Sequence, residues 1–315
     1  HSGGFQPEWM GSPMGIGYST GGLLAALGLL LGVTQNAPTA QKIAAFTARR
    51  AAATTPPTPE EVAELQRLNA KMGLLGCNLH GYGCAGLSEV GYGIAMQELE
   101  RGDSGIRSFA SVQGSLVMYP IHAFGSDAQK ERYLPKMAKG EIIGCFGLTE
   151  PDHGSNPSGM RTVAIEDGDS YVITGTKRWI TNGNLAQVAL VWAKVGGPNG
   201  EVRGFLVPTD SKGFEARLIH RKVSLRASVT SELILEEVRV PKDAVLPGVR
   251  GMKGPLSCLT QARYGIAWGV IGAMQACYDS ALDYAKNRVQ FAGKPIAAHQ
   301  LVQAKFAEMT TQISS

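Results

Sequence analysis

Two segments of this chain hold residues whose types and spacing suit chemistry on a planar, polar ligand. The first is CFGLTEPDHGSNP, Cys145–Pro157; the second is GTKRWITNG, Gly175–Gly183. The first reads as a strand running into a loop rich in Thr, Asp, Gly, Ser and Asn, which can aim backbone N–H groups and hydroxyls at a polarised ring or a phosphate. The second sets Trp179 beside Thr181, a flat apolar wall next to a hydroxyl. That pairing suits a planar cofactor with one reactive nitrogen. Either piece alone is better explained by a Trp packed in a sheet and a Thr on a strand.

Other candidates carry less. Gly81, Gly83 and Gly86 complete a G-x-G-x-x-G pattern with Asp103 beyond it. A dinucleotide site needs a strand before that pattern and a βαβ unit around it; here a helical segment precedes it, so a turn is the better account. Gly102-Asp103-Ser104-Gly105 resembles the surroundings of a serine nucleophile, yet none of the six histidines sits in a supporting motif. A turn after a helix is expected there. No Cys/His cluster has metal-ligand spacing, so no metal is expected. Arg107 offers a guanidinium fork that fits a carboxylate bidentately, as Lys would not. Its plain alternative is an ion pair with a structural Asp or Glu.

These residues need elements to hold them. Thr58-Pro59-Glu60-Glu61 marks a helix start with a capping box, followed by Val62, Leu65, Leu68 and Met72 at helical spacing until Gly73 and Gly76. Further helices are expected over Ser88–Glu100 and from Ser126, with Gln129 three residues on as in a capping box, to near Gly140. From residue 142 the pattern changes to short β-rich runs: Ile142–Leu148, Ser170–Thr174, Gln187–Lys194, Arg203–Val207 and Glu232–Val240. Turn signals without intervening helices argue for an antiparallel β-domain. After Pro255 the helical period returns, with Ile266, Val270, Ala273, Met274, Cys277, Ala281 and Leu282 on one face of a long helix. A last helix spans roughly Ala298–Ile313. The reading is α+β in the order α, β, α: a leader or linker over 1–57, a helical domain over 58–141, a β-domain over 142–250, and the start of a truncated helical bundle over 251–315.

Composition fits this reading. The chain has 315 residues, 44% apolar and 18% charged, enough for a sizeable core and too apolar for disorder. A net charge of +4 suits an anionic small molecule and is too weak to argue for nucleic acid. Five scattered cysteines read as reduced, buried thiols. The longest apolar run, Leu23 to Val33, is eleven residues, too short to span a bilayer. Between Glu8 and Glu60 there is no acidic residue, while Lys42, Arg49 and Arg50 are present. That composition matches an organellar transit peptide, or else a leader unrelated to the fold.

Taken together, the two motifs resemble the acyl-CoA dehydrogenase family. The resemblance spans roughly residues 58–315 and continues through PKDAVLPG, QARYGIAWGVIGA and RVQF–GKPIAAHQ. It implies a helical domain, a β-domain and a helical bundle, with FAD bound without a Rossmann fold. It implies a flavin loop of Phe146, Gly147, Leu148, Thr149 and Ser155, with Trp179, Ile180 and Thr181 flanking the ring and the Thr181 hydroxyl near its N5. Arg288 and Gln300 would reach the FAD of a neighbouring subunit, which implies a homo-oligomer, a tetramer in the family. Ala292 is one apparent extra residue between them and puts the register of Gln300 in question. Asp103–Ser108 and Ser111–Met118 follow the glutaryl-CoA-oxidising branch, where Arg107 and Ser108 would bind the substrate's distal carboxylate. Ser155, Arg263 and the stretch from Leu256 would contact the acyl-CoA. Electrons would pass to an electron-transfer flavoprotein. The location implied is the cytoplasm in a bacterium or the mitochondrial matrix in a eukaryote. The base of this branch, a Glu in Tyr-Glu-Gly-Thr, has no counterpart in these residues, so no catalytic residue is assigned; were the chain active, another carboxylate, such as Glu150 or Glu308, would have taken the role. A non-catalytic flavin- or acyl-CoA-binding derivative, or an inactive fragment, are the competing readings.

Overall fold

The computed structural model describes Lys42 and residues 58–315, so the expected leader at 1–57 lies outside the described residues except for Lys42. Helix α1 (Pro59–Lys71) starts where its cap predicts: Glu61 N–H donates to Thr58 Oγ1 at 3.2 Å, and Thr58 N–H donates to Glu61 Oε2 at 2.9 Å. Helix α2 (Glu89–Gly102) is capped by Ser88, and the expected turn at 102–105 is a two-helix junction instead. The Asp103 carboxylate accepts from Gly105 N–H at 2.7 Å and Ile106 N–H at 3.1 Å, and so caps helix α3 (Ser104–Ser111). A π-helical turn follows (Val112–Met118), then α4 (Tyr119–Phe124) and α5 (Asp127–Ala138), the last with the expected Ser126/Gln129 capping box. The G-x-G-x-x-G run lies between α1 and α2 with no strand before it. Gly81, Gly83 and Gly86 all have positive φ, the turn conformation glycine supplies.

The sheet has seven strands: β1 (Gly144–Gly147), β2 (Val163–Asp167), β3 (Ser170–Thr181), β4 (Val188–Val195), β5 (Glu201–Pro208), β6 (Phe214–Leu218) and β7 (Thr230–Pro241). It is mostly antiparallel, but β4 pairs parallel with both β1 and β2. Neither β2 nor β6 was expected. β2 carries Glu166 and Asp167, β6 carries Glu215 and Arg217, and both lack a continuous apolar run. One face of the sheet packs Phe146, Leu190 and Trp192 against Val117, Leu134 and Met137 of the helices. The other buries Cys145, Ala164, Ile173, Phe205 and Leu235. Of the five thiols, Cys77, Cys145 and Cys258 are buried, and burial pushes each up to about 12. Cys84 is half-buried and Cys277 exposed, so the expectation of uniformly buried thiols fails at these two.

Helix α6 (Lys253–Asn287) runs 35 residues across the helical layer. Its expected apolar face is largely open: Ile266, Val270, Met274 and Cys277 are exposed. Contact with α2 is made by glycines instead. A Cβ at Gly265 would meet Tyr92 Oη at 2.6 Å, one at Gly269 would meet Glu100 Oε2 at 2.1 Å, and one at Gly272 would meet Gln97 O at 1.9 Å. Small residues let the two backbones approach, which a search for large apolar residues overlooks. A short hairpin, β8 (Val289–Gln290) and β9 (Lys294–Pro295), leads to α7 (Gln300–Ser314). Ala292 sits at the hairpin tip, where Phe291, Ala292 and Gly293 all have positive φ. On either side of that turn Val289 pairs with Pro295 and Gln290 with Lys294. No residue of α7 is buried, and Leu301 is 82% exposed.

The glycine seam yields a test. Ala favours a helix over Gly by about 1 kcal/mol, but at Gly272 its methyl would strike a backbone carbonyl that has no rotamer to move. Gly272→Ala is expected to destabilise by about 1–3 kcal/mol, the overpacking range, read as a lower urea midpoint at unchanged slope. An increase in midpoint would show that the helices are free to separate.

Candidate functional site

Strand β3 builds one wall of the site by leaving its ladder. Its pairing with β7 shifts register between Lys177 and Ile180. In the gap, Arg178 N–H donates to Thr149 O of the neighbouring loop at 2.8 Å. Trp179 then takes φ +62° and stands 56% exposed. A left-handed conformation costs a non-glycine residue roughly 1–2 kcal/mol. The Arg178 guanidinium lies 5.6 Å from the Trp179 ring centroid, within cation–π range, and pairs with Glu232 at 3.0 Å.

The loop opposite is held by a buried ion pair. Lys177 is fully buried; its Nζ donates to Leu148 O at 3.1 Å and to Glu150 Oε1 at 2.9 Å. Glu150 also accepts from Arg161 N–H at 2.6 Å, Thr162 N–H at 3.0 Å and Thr162 Oγ1 at 2.6 Å. Burial alone would raise the Glu150 carboxyl, but Lys177 and these donors outweigh it and hold it at about 2. Burial lowers Lys177 to about 8, with Glu150 opposing the shift. Both groups are charged at neutral pH. Glu150 is therefore a structural anchor and not the substitute base considered above. Glu308 lies on exposed α7, bonded to Gln312 at 3.2 Å, and does not line the site.

These walls enclose a cleft of about 340 Å3 between the sheet, the π-helical turn and α6. Phe146, Leu148, Thr149, Ser155, Trp179, Ile180, Thr181 and Arg263 all line it, so two motifs and a helix far apart in sequence meet here. Gly147 stands beside it on β1, where a Cβ would press on Lys177 Cγ at 3.3 Å. Val112 and Leu116, one turn apart, also line it and were not anticipated. Buried Gln113 between them fixes that turn to the sheet: it donates to Ile142 O at 2.9 Å and accepts from Gly144 N–H at 2.8 Å. Leu256 and Leu259 of α6 extend the apolar wall. No carboxylate lines the cleft among the described residues.

The remaining expected site residues lie elsewhere. Arg107 is buried and its Nε donates to Glu100 Oε2 at 2.5 Å, the structural pairing set beside the ligand reading. Half-buried Ser108 is on the same helix, and neither lines the cleft. Arg288 and Gln300 flank the β8–β9 hairpin, exposed and away from this cleft. Among the described residues no group of three His, Cys, Asp or Glu side chains is placed to hold a metal, and no helix is long and apolar enough to cross a membrane.

The donor set fits a flavin ring. An exposed aromatic faces an apolar wall, a hydroxyl sits beside it, and at Gly154 no atom crowds the loop backbone within 4 Å of a Cβ position. N-terminal helices, a curled sheet and C-terminal helices that pack back on the first, with the cleft where they meet, define the class of protein. Three family models cover it: the N-terminal, middle and C-terminal domains of acyl-CoA dehydrogenase match residues 37–141, 145–238 and 249–315. The chain belongs to the acyl-CoA dehydrogenase family.

Solved and curated relatives agree. The crystal structure of a glutaryl-CoA dehydrogenase from Mycobacterium smegmatis in complex with FADH2 is 47% identical, with TM-score 0.79 over 93% of this chain and 72% of that one. Butyryl-CoA dehydrogenase from Megasphaera elsdenii is 31% identical, with TM-score 0.79 over 90% of this chain and 76% of that one. The human mitochondrial short-chain specific acyl-CoA dehydrogenase is 39% identical over 237 residues, 74% of this chain and 57% of that protein. The chain thus spans little more than half the length of that curated relative.

The ion pair predicts an acid limit. Glu150 falls from a carboxyl's 4.5 to about 2 on folding, so its contribution is complete above about 4.5 and is lost as pH falls toward 2. Glu150→Gln should remove that step from a plot of stability against pH. Lys177→Met should cost about 3–5 kcal/mol at pH 7, because it strands a buried carboxylate. The double variant should recover part of that loss, as read by urea unfolding. Equal losses in the single and double variants would mean that the two groups do not act as a pair.

Proposed function

We propose that this chain forms the flavin- and thioester-binding part of an FAD-dependent acyl-CoA dehydrogenase of the glutaryl-CoA type. The observation that carries the reading is Trp179, held at positive φ on a bulge and left open to the cleft beside Thr181. When bound, FAD would supply the acceptor for a hydride from the β carbon of an acyl thioester. The chain's own residues have separable tasks. Trp179 and Phe146 provide flat apolar surface. Thr149 and Thr181 offer hydroxyls at the polar edge, and the loop through Gly154 and Ser155 leaves its backbone open to the ligand. Arg263, exposed at the rim, suits the anionic phosphates of coenzyme A.

Two observations favour the dicarboxylate substrate. The M. smegmatis glutaryl-CoA dehydrogenase is more similar to this chain than the butyryl-CoA enzyme, 47% against 31%. Glu100 engages only Nε of Arg107, and the terminal nitrogens of that guanidinium donate to no acceptor among the described residues. They remain for a substrate carboxylate, with Ser108 on the same helix. Arg288 and Gln300, exposed and away from this chain's own cleft, support service to a neighbouring subunit. Transfer of electrons to an electron-transfer flavoprotein completes the reading.

The purified chain is expected to hold FAD, visible in its absorption spectrum. Arg107→Met should weaken glutaryl-CoA by about 2–5 kcal/mol and leave an uncharged acyl-CoA of equal length nearly unaffected. Equal losses would sink the substrate assignment. With no carboxylate lining the cleft among the described residues, anaerobic glutaryl-CoA should bind without bleaching the flavin, since a positioned base contributes about 10²–10⁴-fold. Rapid bleaching would show that a base is present after all.

A further inference from the structure

Thr181 has a hydroxyl partner on the side away from the cleft. Its Oγ1 lies 3.0 Å from Ser228 Oγ. Ser228 is 3% exposed, while Thr181 lines the cleft. Ser228 belongs to the loop between β6 and β7, and its backbone is fixed from several sides. Its N–H donates to Leu225 O at 3.1 Å. Its carbonyl accepts from Thr230 Oγ1 at 2.9 Å and from the Lys222 ammonium. Lys222 Nζ donates also to Leu225 O and to Thr230 Oγ1, each at 2.8 Å. From the helical layer, the start of α3 presses on the same point: a Cβ at Gly105 would come within 2.6 Å of Ser228 N. The β3–β7 ladder pairs Thr181 with Thr230. Neither hydroxyl can drift from the other without moving a strand, the half-buried Lys222 ammonium or a helix end.

A hydroxyl has one proton and two acceptor lone pairs. Two facing hydroxyls therefore have two arrangements. When Ser228 donates to Thr181, the Thr181 proton is free to point into the cleft. When Thr181 donates to Ser228, a Thr181 lone pair faces the cleft instead. The reactive ring nitrogen of a flavin accepts a hydrogen bond when oxidised and carries an N–H when reduced. We propose that Ser228 is a positioning residue that lets Thr181 present a donor to the oxidised ring and an acceptor to the reduced one. The proposal rests on the reading that Thr181 faces that nitrogen.

The two redox states lose unequally when Ser228 is removed. Facing the reduced ring, Thr181 would keep a proton with no acceptor in a buried setting. Facing the oxidised ring, it would lack only a partner for one lone pair. Orphaned buried donors are tolerated less well than under-used acceptors. Loss of the Ser228 hydroxyl should therefore weaken the reduced state more, whereas a purely structural defect would weaken both alike.

The test is the ratio of affinities for oxidised and dithionite-reduced FAD, read by titration and by the midpoint potential of the bound flavin. Ser228→Ala should retain FAD and bind the reduced form about tenfold worse relative to the oxidised form, a fall of about 30 mV for a two-electron couple. Ser228→Cys keeps the side-chain size with a weak partner, and should shift the ratio the same way; it carries the test if the Ala variant does not fold. In a Thr181→Ala background the Ser228 substitutions should add nothing. An unchanged ratio in the Ser228 variants, or a shift that persists without Thr181, overturns the proposal. If Thr181→Ala itself leaves the ratio unchanged, the placement of Thr181 at the ring fails; a chain that binds no flavin overturns both.

Discussion

The site depends on a single ammonium group placed where water cannot reach it. Lys177 lies inside the sheet with its Nζ between Leu148 O and Glu150. Isolated there, the charge would be untenable. Glu150 makes it tenable, and the other donors to Glu150, from Arg161 and Thr162, tie down the far end of the same loop. One ion pair thus closes the loop from Leu148 to Thr162 at both ends. Such a pair is a weak argument for net stability, since apolar residues of equal volume often do as well. Its value here is directional: no apolar side chain would draw a carbonyl, two backbone N–H groups and a hydroxyl to one point. The bulge at Arg178 and Trp179 follows immediately, because Arg178 N–H is spent on Thr149 of the same loop.

A second constraint acts from the helical side. The cleft needs α6 close enough for Leu256, Leu259 and Arg263 to face Trp179 and Thr181. Two sets of glycines permit this. At the start of α6, Gly254 accepts the edge of Trp192, which a Cβ would strike at 2.4 Å. Further along, Gly265, Gly269 and Gly272 let α2 lie against α6, and the Glu100–Arg107 pair sits at that contact. The helix is thereby pinned to the sheet at one end and to α2 along its middle. Charge in the sheet and absence of side chains in the helices solve the same problem, that of bringing distant backbones to a fixed distance.

Much of this was legible in the residue order. The Thr58/Glu61 and Ser126/Gln129 pairs located two helix starts, because a cap is a local event between residues three apart. Many members of the cleft were readable as two motifs, because the two runs together, and neither alone, carry the resemblance. What escaped is non-local. The parallel pairing of β4 with β1 and β2 is a property of tertiary arrangement, not of any one strand. The glycine seam is silent to periodicity that counts large apolar residues. Residue order leaves the partner of Arg107 open between a ligand and a structural carboxylate; its Nε meets Glu100, seven residues earlier on the preceding helix, a contact set by the angle between two helices that residue order does not give. Ser228 carries no signal in sequence, because its importance comes from lying 47 residues from the hydroxyl it faces.

Trp179 shows how separate costs accumulate at one position. Its positive φ costs roughly 1–2 kcal/mol, and leaving an indole more than half exposed (56%) forfeits burial that such a ring would otherwise gain. A Gly at this position would avoid the first cost, and a polar residue would avoid the second. Neighbouring contacts offset only part of the sum: the Arg178 guanidinium over the ring is worth about 0.5–1 kcal/mol at an exposed site. The arrangement is therefore over-determined from outside the residue, by the Lys177–Glu150 anchor on one side and the Ile180–Ser231 and Thr181–Thr230 pairings on the other. Such strain persists only where the surroundings over-determine it, and here it turns the indole toward the cleft that the proposed flavin would occupy. A flat ring seated against Trp179 would cover the exposed indole. The protein would then regain on binding the apolar burial that it gives up on folding.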